Sequence, residues 1–158
     1  MAAHIPDQGS PLLKPASYAR TEPGAPVDRV RCVIRHGHRF LLVQPNARGA
    51  SLPGKWGLAG GRLEPPEEPR AGLRRELEEE LKLAAPTLIE LGDWRHGRET
   101  HRVFGCEIER TTRWFNTEEL AAMGWFSYAE VAKLALSSRL HRGFELAAIR
   151  TFRIVAGG

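Results

Sequence analysis

The sequence has few cysteines and no long apolar run. Among its 158 residues only Cys32 and Cys106 are cysteines. Two cysteines are too few for a disulfide framework, and we therefore expect reduced thiols and a cytoplasmic location. No apolar stretch approaches the ~20 residues of a membrane-spanning helix. The N-terminal residues also lack the uninterrupted apolar segment of a secretory signal. We expect neither a disulfide-stabilised fold nor a membrane partner.

The sequence also lacks a long block of lysine and arginine with interleaved aromatic residues, the pattern that follows a nucleic-acid strand. Its formal net charge of +4 favours anionic partners in general, so there is no strong nucleic-acid signal. The six histidines do not pair with cysteines at zinc spacing, and we expect them in turns and on the surface. A small anionic ligand fits this charge pattern.

The first part of the chain is rich in proline and poor in apolar periodicity. Residues 1–27 contain five prolines: Pro6, Pro11, Pro15, Pro23 and Pro26. They predict an extended or mobile leader, followed by one domain over residues 28–155, which is long enough to bury a core without disulfides. Within it, Val30, Cys32 and Ile34 alternate with arginines, a pattern that predicts a half-buried strand. Strands interleaved with a few helices indicate an α+β fold with a mixed central sheet.

The clearest helix signal covers about residues 69–82. Proline at the first position suits an initial helical turn, and an apolar stripe at i+4 spacing should face the core: Leu73, Leu77 and Leu81. Ser127 and Glu130 form a capping box that predicts the start of a second helix. Ser137 or Ser138 is predicted to cap a last helix, since apolar residues recur at i+4 after them.

Three carboxylates of the first predicted helix lie at i, i+3 and i+4: Glu76, Glu79 and Glu80. This spacing puts them on one helix face, where like charges repel by a few tenths of a kcal/mol per pair unless a cation lies between them. Hard divalent cations prefer carboxylate oxygens, and Mg²⁺ combines them with substrate phosphates. The glutamate face therefore predicts a metal–phosphate site, although a solvated Glu/Arg helix face has the same composition.

The residues before this helix favour the metal site. Gly61 is followed after five residues by Glu67, then after seven more by Arg75, Glu76 and Leu77, and Glu79 and Glu80 come next. This arrangement closely resembles the signature of the Nudix hydrolase family, and the preceding segment KWGLAGG resembles its lead-in. The resemblance implies an α/β/α sandwich around a mixed central β-sheet.

One position departs from the family pattern. Lys82 stands where the family has a glycine that closes the helix in a left-handed conformation. If the same backbone is kept, a lysine there should cost about 1 kcal/mol, without removing a metal ligand.

The resemblance implies the metal ligands residue by residue. Glu76, Glu79 and Glu80 would bind Mg²⁺ or Mn²⁺ as the cofactor. The backbone carbonyl of Gly61 would be a further ligand.

The resemblance also implies the supporting and proton-accepting groups. Glu67 would be structural, and Arg75 would support catalysis by orienting the carboxylates through charge-assisted hydrogen bonds. Either Glu76 or Glu119 would accept the proton of the attacking water. Glu118 is the near rival of Glu119 for this role, because both precede the last tryptophan-containing strand.

The implied activity is divalent-metal-dependent hydrolysis of a pyrophosphate linkage in a nucleoside diphosphate linked to another group. Nucleoside triphosphates or related small nucleotides come first among the substrates. The alternative is a Nudix-fold nucleotide-binding or sensor module without turnover, which the intact glutamate set disfavours. The sequence does not choose among nucleotides, nor between a monomer and a homodimer.

Overall fold

The computed structural model describes residues 18–20, 24–46, 54–85 and 87–158, which contain seven strands and three helices. The strands are β1 (Tyr18–Arg20), β2 (Arg29–His36), β3 (Arg39–Pro45), β4 (Ala59–Arg62), β5 (Ile89–His96), β6 (Glu99–Glu107) and β7 (Leu120–Ser127). The helices are α1 (Pro69–Leu81), α2 (Tyr128–Leu136) and α3 (Glu145–Ala156). The predicted leader lies outside the described residues except for residues 18–20 and 24–27.

The strands form one mixed sheet in the order β1-β5-β6-β2-β3-β7, with β4 paired to β2. β2 runs parallel to β6, whereas the other strand pairs are antiparallel. The mixed central sheet that the sequence predicted is thus confirmed.

The hairpin between β2 and β3 opens soon after its turn. The two strands pair only at Arg35–Phe40 and His36–Arg39, and β4 then takes over as the antiparallel partner of β2. Two backbone hydrogen bonds between Val43 and Gly57, at 2.9 and 2.8 Å, join β3 to the residues just before β4. This parting of the strands leaves a cavity between β3 and β4.

Apolar side chains fill both faces of the sheet. One cluster lies between the sheet and α1, and it includes Val30, Cys32, Ile34, Leu73, Leu77, Leu81, Phe104 and Cys106. The second lies between the sheet and the helices α2 and α3, and it includes Val33, Leu42, Val103, Val131, Phe144, Ile149 and Phe152. Burying each such side chain stabilises the fold by about 2 kcal/mol. Helices on both faces confirm the α/β/α sandwich.

The ends of α1 carry identifiable caps. At its start the Glu68 carboxylate accepts a hydrogen bond from the Ala71 N–H at 3.1 Å, with Pro69 in the first turn. At its end Lys82 has φ 50° and ψ 41°, and its N–H donates to the Glu78 carbonyl at 3.0 Å. The left-handed cap is thus kept although a lysine occupies it.

The capping box of α2 is confirmed, since the Ser127 hydroxyl accepts from the Glu130 N–H at 3.1 Å and the Glu130 carboxylate accepts from the Ser127 N–H at 2.7 Å. The predicted cap of the last helix at Ser137 or Ser138 is wrong, because α3 begins only at Glu145. The Ser137 hydroxyl instead donates to carbonyls at the end of α2, and Ser138 has a φ of 58°.

The two cysteines are buried free thiols with their Sγ atoms 3.8 Å apart. Among the helices in the described ranges, none has the length and apolar character needed to cross a bilayer.

Candidate active site

A cavity of about 440 Å³ opens where β3 and β4 part. Three of its lining carboxylates, Glu76, Glu80 and Glu119, form one group, here called the acidic wall. Its lining arginines, Arg29, Arg31, Arg62 and Arg142, are here called the basic wall. The cavity therefore offers carboxylates for a cation and guanidinium groups for an anion.

The acidic wall brings three carboxylates into one group. One oxygen of each of Glu76, Glu80 and Glu119 lies within 4.8 Å of the others. Glu76 and Glu80 are buried one turn apart on α1, and the exposed Glu119 directly precedes β7. Such a set of oxygen donors suits a hard divalent cation such as Mg²⁺.

Burial makes two of these carboxylates hard to ionise without a cation. It raises the pKa of Glu80 to about 8, against the opposing charge of Arg31. It also raises the pKa of Glu76, against the opposing charge of Arg75. A nearby positive charge stabilises an ionised carboxylate, so a divalent ion would offset the free-energy cost of ionising these buried groups. The residues therefore fit the metal that the sequence pattern implies.

The glycine pair of β4 lets the backbone approach these carboxylates. Gly60 has a φ of 143°, and a Cβ there would lie 2.0 Å from the Val30 carbonyl oxygen. The Gly60 N–H donates to the Glu80 carboxylate at 3.2 Å. A Cβ on Gly61 would lie 2.5 Å from the carboxyl group of Glu76. Gly60 therefore excludes a side chain because of the backbone, whereas a Cβ on Gly61 would displace the carboxyl group of Glu76.

Arg75 holds the carboxylates around it. Its Nε and Nη2 donate to the two oxygens of Glu67 at 2.7 and 3.0 Å. Its Nη1 donates to Glu76 at 3.2 Å and to Glu79 at 3.0 Å. The bonds from Arg75 lower the pKa of Glu67 to about 2, so Glu67 is ionised at neutral pH. This geometry suits an orienting role for Arg75 and a structural role for Glu67.

Two of the predicted residues lie outside the acidic wall. The structure does not bring Glu79 into the carboxylate group; its side chain is 47% exposed and is paired with Arg75. Glu118 is also exposed, and its N–H donates to the Asn116 side-chain oxygen at 3.0 Å. Of the two rival glutamates, it is therefore Glu119 that borders the cavity.

Glu119 is held from several sides. The Asn116 amide donates to its carboxylate at 3.1 Å, and the Asn46 N–H donates to its carbonyl at 2.9 Å. The Asn116 N–H also donates to the carbonyl of Glu80 at 2.9 Å. The turn that carries Glu119 is thus attached directly to α1, which brings the third carboxylate to the other two.

The basic wall is centred on a buried arginine of β2. Nε of Arg31 donates to Nδ1 of His101 at 3.3 Å, and its Nη1 donates to the Leu58 carbonyl at 3.5 Å. Burial, together with the charges of Arg142 and Arg29, lowers the pKa of Arg31 to about 9. The guanidinium therefore remains charged at neutral pH.

Sequence reasoning missed the basic wall. The alternation in β2 assigned Arg31 to the polar face of a half-buried strand, but both faces are covered in the sandwich, and Arg31 is only 6% exposed. The surface role expected of the histidines is wrong for His101, which is fully buried and whose pKa burial lowers to about 2. No local pattern indicated Arg142, which lies between α2 and α3 where a continuous helix was predicted.

A family model of the NUDIX domain matches residues 25–145 of the chain. The chain belongs to the Nudix hydrolase family. This confirms the family that the glycine, glutamate and arginine spacing indicated.

Individual relatives agree with the family assignment. This Nudix chain is similar to a nucleoside triphosphatase, NudI of Enterobacter sp. (strain 638), with 39% identity over 49 residues. The matched segment is 31% of the chain and about a third, 35%, of that relative's length.

Two solved structures are similar over most of this Nudix chain. The E. coli ORF135 protein has 26% identity and a TM-score of 0.61, over 84% of this chain and 94% of that one. A MutT Nudix hydrolase from Burkholderia pseudomallei has 26% identity and a TM-score of 0.55, over 69% of this chain and 95% of that one. The fold agreement thus extends well beyond the motif.

Proposed function

We propose that this Nudix protein hydrolyses a pyrophosphate linkage in a nucleoside diphosphate linked to another group, with Mg²⁺ or Mn²⁺ as the cofactor. The observation that carries the proposal is the convergence of Glu76, Glu80 and Glu119 within 4.8 Å at one wall of a cavity. Nucleoside triphosphates and related small nucleotides are the first substrates to test, because the curated relative above is a nucleoside triphosphatase.

The metal would be held by Glu76, Glu80 and Glu119, with the Gly61 carbonyl as a further ligand. When bound, a divalent ion supplies charge neutralisation at the phosphates and lowers the pKa of a bound water. Glu79 would join this set only by leaving its contact with Arg75, 3.0 Å away.

The chain's own residues supply the rest of the chemistry. The oxygen of a water forms a bond to phosphorus, the bridging P–O bond breaks, and the leaving phosphate takes the bond's electrons. A carboxylate accepts the water's proton; Glu119 suits this role because it is exposed and is positioned by Asn116. Arg75 keeps the Glu76 carboxylate oriented.

The test is hydrolysis of a nucleotide panel with Mg²⁺ or Mn²⁺, followed by identification of the products. Glu80→Gln should lower kcat/KM by at least ~100-fold, because it removes a charged metal ligand from a buried position. Glu78→Gln is the matched control, since Glu78 is an exposed glutamate of the same helix. We expect it to change kcat/KM by less than ~2-fold.

Three results would contradict the proposal. One is a wild type that turns over no nucleotide of the panel while still binding nucleotides, which would favour the sensor alternative. A second is full activity of Glu80→Gln. The third is unchanged activity after the metal has been removed with EDTA.

A further inference from the structure

The last strand, β7, lies at one edge of the sheet. In the described part of the chain its neighbour in the sheet is β3, on one side. The other side of an edge strand presents backbone N–H and C=O groups that can pair with a further strand, and natural proteins protect such edges with charged side chains or proline. The sequence of β7, LAAMGWFS, contains neither. This edge therefore has the composition of a strand that pairs.

The hydrogen bonds of β3 show which backbone groups of β7 face outward. Val43 exchanges hydrogen bonds of 2.9 and 2.8 Å with Gly57, so the N–H and C=O groups of Val43 point away from β7. Val43 and Met123 therefore form a non-hydrogen-bonded pair of the antiparallel ladder, and the two kinds of pair alternate along it. The N–H and C=O groups of Met123 and Trp125 consequently point to the outer edge.

An exposed arginine makes a weak contact with this edge. Nη1 of Arg39 donates to the Trp125 carbonyl at 3.5 Å, which is at the limit of hydrogen-bond length. The Arg39 side chain is 60% exposed and also lies 3.6 Å from Glu130, so a better donor can replace it at the carbonyl. Across the described ranges, the N–H groups of Met123 and Trp125 have no acceptor.

The outer edge of β7 is complementary to a second copy of itself. Two antiparallel copies related by a two-fold axis at Gly124 place Met123 of one copy opposite Trp125 of the other. Because the backbone groups of both residues face outward, each such pair can exchange both of its N–H···O=C hydrogen bonds. The Met123 thioether then lies beside the indole of the other copy, which is a favourable contact of sulfur with an aromatic ring.

The charges around β7 agree with antiparallel self-pairing. The strand itself carries no charge, so no like charges meet along the ladder. Arg39 pairs with Ser127 at one end of β7, and the exposed Glu118 precedes Leu120 at the other end. Antiparallel pairing brings Arg39 of each copy to the acidic end of the other copy. The charge complementarity is thus repeated by the two-fold axis.

We propose that the outer edge of β7 is a dimerisation surface, at which two copies of the chain pair antiparallel around Gly124 and form one continuous sheet. The occupant is a second copy and not a peptide of another protein, because the register, the side-chain contacts and the end charges are all self-complementary. The proposal concerns assembly and does not rest on the proposed function.

Sedimentation equilibrium of the full chain over a range of micromolar concentrations tests the assembly. Wild type should show a monomer–dimer equilibrium. Ala121→Lys should raise the dimer Kd by at least ~10-fold, because it sets a second positive charge against Arg39 of the other copy. Ala121 is exposed, so the fold should tolerate the change. Thr87→Lys is the control, since Thr87 is exposed beside β5, on the opposite side of the sheet; its Kd should equal that of wild type.

Residue-resolved amide hydrogen exchange, followed by NMR, identifies the surface. The N–H groups of Gly124 and Phe126 point to β3 and should be protected in wild type and in Ala121→Lys, which also establishes that the variant is folded. The N–H groups of Met123 and Trp125 should exchange at least ~10-fold more slowly in the wild-type dimer than in Ala121→Lys.

Each outcome of these two experiments bears on the proposal. Dimerisation with slow exchange at Met123 and Trp125, both lost in Ala121→Lys, would support it. A wild type that stays monomeric would overturn it, and slow exchange at both amides in that monomer would mean that another segment of the same chain covers the edge. A dimer in which both amides exchange fast would place the interface elsewhere and would also overturn it.

Discussion

The two walls of the cavity are assembled in different ways. Glu76 and Glu80 of the acidic wall are one turn apart on α1, and Glu119 reaches them through the contact of Asn116 with the Glu80 carbonyl. The basic wall brings Arg31 of β2 together with Arg142, which lies between α2 and α3. The acidic wall is therefore largely local in the chain, whereas the basic wall exists only after the sandwich has formed.

This difference teaches why one wall has a sequence signature and the other has none. Helix geometry places residues at i and i+4 on one face whatever surrounds them. The position of Arg142 depends instead on Glu145 and on the contact of His141 with Trp56. Variants of the acidic wall should consequently lose mainly activity, and variants of the basic wall mainly stability. Four predictions test this difference, beginning with the largest expected effect.

Gly61→Ala should break the acidic wall while leaving the basic wall intact. The new Cβ would lie 2.5 Å from the Glu76 carboxyl group, and the clash is relieved by moving that side chain. We expect kcat to fall by about 100-fold, with thermal stability close to wild type. Gly60→Ala is the contrasting variant, because its Cβ meets the Val30 backbone at 2.0 Å and should destabilise the fold. Full activity of Gly61→Ala would contradict the assignment.

Glu145→Ala should disturb the basic wall by destabilising the backbone segment that carries Arg142. It leaves the N–H groups of Arg142 and Gly143 without their acceptor, which should lower the free energy of unfolding by about 2 kcal/mol. Glu80→Gln also removes a buried carboxylate. Because the ionised form of Glu80 is costly without a metal ion, the free energy of unfolding of this variant in EDTA should equal or exceed that of wild type. Chemical denaturation in EDTA measures both. If both variants lose the same free energy of unfolding, Glu145 and Glu80 do not differ in their contribution to stability, and the prediction is wrong.

Glu67→Gln tests the scaffold of the acidic wall through pH. Arg75 lowers the pKa of Glu67 from 4.5 to about 2, so between these values the folded protein binds fewer protons than the unfolded chain. The stabilisation by Glu67 is therefore complete above pH 4.5 and is lost as the pH falls toward 2. The difference in Tm between wild type and Glu67→Gln should shrink between about pH 6 and about pH 3. A constant difference over this range would show that the ion pair does not contribute to stability.

Lys82→Gly should give the smallest change, at the end of α1 next to the turn that carries Glu119. Glycine adopts the left-handed conformation without the steric cost that lysine has there, which should raise the free energy of unfolding by about 1 kcal/mol. The variant also loses the contact of the Lys82 ammonium with the Trp114 ring, 4.5 Å from its centroid, worth about 0.5–1 kcal/mol. The two terms nearly cancel. In a Trp114→Ala background the same substitution should show the full gain, which a double-mutant cycle of unfolding free energies measures.

The sequence predicted what depends on local geometry. The periodicity of α1 and its leucine stripe and the capping box of α2 are confirmed, since each involves residues a few positions apart. The same reasoning failed between α2 and α3. There the i+4 series continued through Leu140, but the backbone on either side of Leu140 is hydrogen-bonded to Trp56 instead of forming a helix. A partner from another part of the chain outweighed the local pattern.

By itself, the sequence determined the family, through the fixed spacing of glycine, arginine and glutamate. It also determined the residues from which an acidic wall can be built, because glutamates at i and i+4 of one helix share a face. Only the tertiary structure decided which carboxylates converge, with Glu119 beside Glu76 and Glu80 and with Glu79 turned to Arg75. It also decided that Arg31 is buried and that Arg142 lines the same cavity. The physical reason is that burial, and the charge balance it imposes, depends on everything that packs around a residue.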